Sequence, residues 1–154
     1  MTEDPALFRL FNEISIIAQL SQRMLENAMP RGMTMAQFIV LNHFARLGGE
    51  RSPAELADAI QVTRATMTST LQKLASKGFV HISPNAEDGR AKRVVLTEAG
   101  RAMRMACVDA VSPRIQALGQ VISPAQIMEL LPQLASVRRR LDAERGKRAT
   151  ATPF

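Results

Sequence analysis

The chain has 154 residues, about one domain's worth and enough to bury a core without disulfides or a structural metal. Twenty Lys and Arg against 14 Asp and Glu leave a net charge of +6, and 16 of the cations are arginine, the residue suited to bidentate contacts with phosphates and base edges. The single cysteine, Cys107, excludes an intrachain disulfide framework, no apolar run reaches the ~18 residues of a membrane span, and Met1–Pro5 carries no basic leader, so a small soluble cytosolic protein is expected.

The first predicted helix, about 6–28, carries Leu7, Phe8, Leu10, Phe11, Ile14, Ile17 and Leu20 on more than one face. A single stripe would leave one face polar, so this helix is expected to pack on two sides. Pro30-Arg31-Gly32 ends it. Thr34 and Gln37 fit a capping box for a second helix, which runs to Gly48-Gly49. Ser52, Pro53 and Glu55 open a third, ending near Ile60. Gln61-Val62 forms a turn, and Thr63 caps a fourth helix that ends at Gly78. The apolar period then changes from helical to alternating. Residues 79–83 and 93–96 read as two strands joined by the polar stretch 84–92. Such a hairpin is too short to stand alone and must lean on the helices. Thr97 caps a long fifth helix, which Ser112-Pro113 is expected to kink or interrupt. Ser123, Pro124 and Gln126 open the last, whose Ile127, Leu130, Leu131, Leu134, Val137 and Leu141 follow three-and-four spacing.

Six helices with a small antiparallel β-hairpin wing describe a mainly α, winged helix-turn-helix chain. With Met67 at the centre of its buried face, the fourth helix turns Ala65, Thr68, Ser69, Gln72, Lys73 and Ser76 outward, with Arg64 on the flank and Thr63 at the cap. Hydroxyls, an amide and Arg suit base edges in a major groove, and Lys suits phosphate. The competing reading is an ordinary solvated face. At the hairpin tip, Arg90 is placed to enter a minor groove, with Asp88 to orient its guanidinium, while Lys92 and Arg93 along the hairpin can take phosphates. Here the competing reading is a surface turn with an incidental ion pair. Charge alone does not decide. Residues 1–51 are neutral, and 52–104 and 105–154 each carry +3.

Met35-Ala-Gln37-Phe38, Ser52-Pro-Ala-Glu55-Leu56-Ala57, Val62-Thr63-Arg64-Ala-Thr66, Leu71-Gln-Lys-Leu74, Gly78-Phe79-Val80, Asp88-Gly-Arg90 and Val95-Leu96-Thr97-Glu98-Ala99-Gly100 stand in the order and spacing of the MarR family. The chain resembles that family from about 34 to 104 without a gap. The resemblance implies a homodimeric transcriptional regulator, with the recognition helix in the major groove of double-stranded DNA, the wing arginine in the minor groove and the terminal helices intertwined between subunits. It implies residues 1–33 as a dimerisation helix, 34–104 as the DNA-binding region, 105–146 as C-terminal dimerisation helices and 147–154 as a disordered tail, one domain overall. Leu7, Phe8, Phe11, Ile14, Leu130, Leu134, Val137 and Leu141 are the candidates for the dimer interface. A symmetric dimer in turn implies a pseudo-palindromic operator with half-sites about 10 bp apart or a near multiple.

The resemblance also implies release by a small aromatic or phenolic acid bound between the winged region and the dimer helices. Met24, Met33, Met35 and His43 are the candidate lining, against a reading of flexible core filler and a satisfied half-buried histidine. The chain has neither Trp nor Tyr to stack on such a ligand. Cys107 reads as a buried, inert thiol. Two histidines 38 positions apart and one cysteine show no metal-ligand spacing, and neither cofactor nor membrane is expected. The run Arg138-Arg139-Arg140 with Arg145, Lys147 and Arg148 reads as the solvated end of a helix or as an extra DNA contact. No nucleotide-binding or nucleophile motif is present, which argues against an enzyme. The alternative is a winged-helix protein-interaction module without sequence-specific DNA binding.

Overall fold

The computed structural model describes residues 4–85, 87 and 91–150, the side chains of 145–150 excepted. Among them the elements run α1 (Ala6–Glu26), α2 (Met35–Leu47), β1 (Glu50–Arg51), α3 (Pro53–Ile60), α4 (Arg64–Ser76), β2 (Val80–Pro84), β3 (Lys92–Leu96), α5 (Glu98–Ala117), a 3₁₀ turn (Leu118–Gln120) and α6 (Pro124–Thr150). The contacts divide the chain into two compact units at Pro113/Arg114.

In the first unit, one core gathers Val40, Leu41 and Phe44 of α2, Leu56 and Ala57 of α3, Met67, Leu71 and Leu74 of α4, Val80 of β2, Val94 of β3 and Cys107 of α5. Local chemistry sets the helix starts. Ser52 and Glu55 form a reciprocal capping box on α3, with Pro53 in the first turn, and Thr63 Oγ1 accepts from the Thr66 amide to start α4. Between the two helices Gln61 adopts φ +64°, a left-handed cap that costs a non-glycine residue conformational energy.

The box expected on α2 is only half formed. Thr34 Oγ1 accepts from the Gln37 amide at 3.3 Å, but the Gln37 side chain is buried and its Oε1 accepts instead from Lys77 Nζ at 2.9 Å. A buried amide bonded to a cation outweighs a cap that water could satisfy.

The wing has three strands where the sequence suggested two. Gly48 and Gly49 at positive φ turn the chain out of α2 and deliver Glu50 and Arg51 to pair with Val95 and Val94. The strand order is β1-β3-β2, antiparallel throughout, and the Asn85 amide donates to the Ala91 carbonyl at 2.7 Å to narrow the loop between β2 and β3.

α5 starts on a knot of bonds to the turn after α4. Thr97 Oγ1 donates to the Gly78 carbonyl at 2.6 Å and accepts from the Gly100 amide at 3.0 Å. The Thr97 amide donates to Phe79 O at 3.2 Å. Arg104 reaches α2, donating from Nε and Nη2 to Asn42 Oδ1 at 3.2 and 3.0 Å. The expected break at Ser112-Pro113 does not occur, because α5 continues through Pro113 to Ala117. Proline deletes a single helical donor, and Ser112 Oγ donates to the Val108 carbonyl within the same turn.

The second unit holds the end of α5, the 3₁₀ turn and α6. There Ser123 and Gln126 form the expected reciprocal cap, at 2.8 and 3.2 Å. α6 reaches Thr150, beyond Lys147 where a tail was expected to begin, and 151–154 lie outside the described residues.

Candidate nucleic-acid interface

The helix pair that would present α4 is set by apolar contacts on one side only. Met67, Thr70, Leu71 and Leu74 are buried, while Arg64, Ala65, Thr68, Ser69, Gln72, Lys73 and Ser76 are all exposed. Thr70 satisfies its hydroxyl by donating to the Thr66 carbonyl at 3.0 Å, which lets a polar residue sit on the buried face. Two of the outward hydroxyls are already engaged: Thr63 Oγ1 in the cap and Ser76 Oγ with the Lys73 carbonyl at 2.9 Å. The donors left on this face are those of Arg64, Thr68, Ser69, Gln72 and Lys73. A cation at each end with short polar groups between them matches what a major groove demands.

Lys77, one turn beyond, is held elsewhere: its ammonium donates to the Gly32 carbonyl and to Gln37 Oε1. The sequence pattern missed this bond, which pins the C-terminal end of α4 to the loop ahead of α2.

On the wing, Lys92 is exposed and Arg93 half-buried. The Arg93 guanidinium lies 3.8 Å from Glu55 of α3, so it faces the helices and does not sit free along the hairpin as expected. Asp88 and Arg90 lie outside the described residues.

The four residues suggested for an effector pocket are not brought together in one cavity. A cavity of about 290 Å³ opens between the end of α1, the first half of α2 and the α3–α4 turn. Met35 lines it, and Met24, Met33 and His43 do not. Its wall carries Glu26 and no Lys, Arg or aromatic ring, so a carboxylate ligand would meet like charge there. His43 is half-buried, and burial, then the Arg51 and Arg46 guanidinium groups, push it below the usual histidine range.

Cys107 is fully buried, and burial raises its thiol above the ordinary cysteine value. A disulfide reagent added to the native protein is expected to leave Cys107 unmodified, with one equivalent reacting once denaturant unfolds the chain; rapid native labelling would show that the core opens there. Among the described residues no group of three or more His, Cys, Asp and Glu is placed to hold a metal ion, and no helix is long and apolar enough to cross a membrane.

Of the residues proposed for a dimer interface, Leu7 and Phe8 of α1 are 66% and 58% exposed, Leu130 and Leu141 of α6 are exposed, and Phe11, Ile14, Leu134 and Val137 are half-buried.

Known proteins share this arrangement. A sequence model of the MarR family matches residues 31–91. Wild-type apo MarR from E. coli is 30% identical, with 88% of this chain and 98% of that one covered at a TM-score of 0.72. A cysteine-to-serine mutant of the same protein, solved in complex with operator DNA, is 30% identical over 85% of this chain and 94% of that one, at a TM-score of 0.68. The transcriptional regulator BldR from Sulfolobus solfataricus, at 22% identity, covers 91% of this chain and 99% of its own, with a TM-score of 0.77, and is alike in fold. By identity, coverage and the shared winged helix, the chain belongs to the MarR family of DNA-binding transcriptional regulators.

Proposed function

We propose that the protein acts in the cytoplasm as a symmetric dimer that represses transcription by occupying a pseudo-palindromic operator, each subunit placing α4 in the major groove and its wing in the adjoining minor groove. The observation that carries this reading is the division of α4 into a buried apolar face and an outward face of Arg64, Thr68, Ser69, Gln72 and Lys73. Operator DNA bound to a relative at 30% identity supports it. Exposed Leu7 and Phe8 on α1, and exposed Leu130 and Leu141 on α6, supply apolar surface of the kind a second copy covers.

The test is a salt titration of binding to the region upstream of the protein's own gene, against a scrambled duplex. Preference for the upstream region is expected, with a log–log slope that reports several phosphate contacts. Equal affinity for both duplexes would instead favour a winged-helix interaction module. Arg90→Ala is expected to weaken binding most where the half-site flanks are A·T-rich, since a narrow minor groove concentrates negative potential. An unchanged affinity would place the wing outside the groove.

A further inference from the structure

Adjacent residues of a strand point to opposite faces, so Lys92 and Arg93 of β3 cannot both reach the same phosphate backbone. Lys92 is exposed, while Arg93 turns toward the first turn of α3. Its Nη1 stands 3.8 Å from Glu55 Oε2, and its Nε is buried with no hydrogen-bond partner among the described residues. A guanidinium in contact with DNA would present its donors to solvent in the free protein; this one has its stem packed away.

The carboxylate it meets is held in place. Glu55 Oε2 accepts from the Ser52 amide at 2.6 Å, and the Glu55 amide donates to Ser52 Oγ at 3.2 Å. The α3 cap has thus already ordered the carboxylate that Arg93 uses, which removes part of the entropy cost that makes most exposed ion pairs weak. The Ser52 bonds, more than either neighbouring arginine, keep the Glu55 carboxyl below its usual range. β3 is the central strand of the sheet, so a contact to its Arg93 acts on both hairpin strands together.

We infer that Arg93 is a positioning residue: through Glu55 it fixes the wing against the N-terminus of α3, so that wing and α4 address DNA as one rigid element. The inference rests on the DNA-reading function proposed above. An ion pair of this exposure changes a conformational population by about fivefold at most, and apparent affinity falls with the fraction of wings correctly placed.

The experiment uses the full chain on the upstream duplex. Glu55→Gln keeps the capping box, which glutamine also completes, and removes only the charge. Glu55→Gln and Arg93→Gln are each expected to weaken operator binding about fivefold, Arg93→Lys to restore most of the loss, and the salt slope of Arg93→Gln to match wild type. Glu55→Gln added to Arg90→Ala should cost nothing more, because the wing tip is what the pair positions. Three outcomes would overturn the inference. One is a slope reduced by about 1 in Arg93→Gln, the mark of a lost phosphate contact. Another is tighter binding by Glu55→Gln, the mark of a carboxylate that merely repels DNA. The third is simple additivity of Glu55→Gln with Arg90→Ala. Amide hydrogen exchange in β2 and β3 of the free protein separates this from failure of the DNA reading. Exchange should quicken in Glu55→Gln even if no duplex is preferred, and unchanged exchange would sink the positioning role by itself.

Discussion

Gly100→Ala is expected to lower stability by about 3 kcal/mol, roughly 6–12 °C in melting temperature at fixed protein concentration. The direction opposes helix propensity, which would favour alanine by about 1 kcal/mol inside α5. A methyl at position 100 would stand 2.0 Å from the Phe79 carbonyl oxygen, 2.7 Å from Leu96 Cδ1 and 3.0 Å from the Phe79 carbonyl carbon. Two of those three atoms are backbone, and no rotamer change moves them aside. Relief requires α5 to lift away from the turn after α4, which strains the Thr97 bonds to Gly78 and Phe79. Gly119→Ala is the control, since a Cβ there meets nothing within 4 Å, and its effect should stay within about 0.5 kcal/mol. Thermal unfolding followed by circular dichroism reads both. Equal melting temperatures for Gly100→Ala and wild type would show that the helix is not seated this closely.

The second large effect concerns which base pairs are read. Thr68→Ala and Gln72→Ala are expected to change base preference at one or two operator positions by about 1–3 kcal/mol each, ten- to more than hundredfold in relative affinity. Lys73→Ala should instead weaken every duplex alike and lower the salt slope by about 1. Binding to a set of single-base operator variants separates the two behaviours. The reverse pattern, with Lys73 setting preference and Gln72 acting uniformly, would mean that α4 enters the groove rotated from the face described here.

Much of this was legible in the sequence, for identifiable reasons. Helix starts carry side-chain chemistry, so Ser52–Glu55, Thr63 and Ser123–Gln126 could be read directly. The burial of Met67, Leu71 and Leu74 followed from helical spacing, and the outward polar face from its complement. Long-range contacts leave no periodic trace, and there the reading stopped. Two residues cannot show an alternating pattern, so β1 was invisible. Gln37 offered a plausible cap until Lys77, 40 positions later, claimed its amide. Arg93 looked like a phosphate ligand because its charge was evident and Glu55 across the fold was not. Gly100 was recognisable as part of a Thr-x-x-Gly pattern, yet only the approach of Phe79 explains why a side chain is refused there.

The short strand β1 has a consequence for how such a protein stays dispersed. Because β1 and β2 flank β3, the valine pair Val94-Val95 never forms an open sheet margin on which another chain could template itself. One margin is only two residues long, and the other ends at Pro84, which has no amide hydrogen to donate. Brief or proline-ended margins are how native sheets resist edge-to-edge aggregation. Deleting the pairing of Glu50 and Arg51 would expose β3 as a sticky strand long before it unfolded the core.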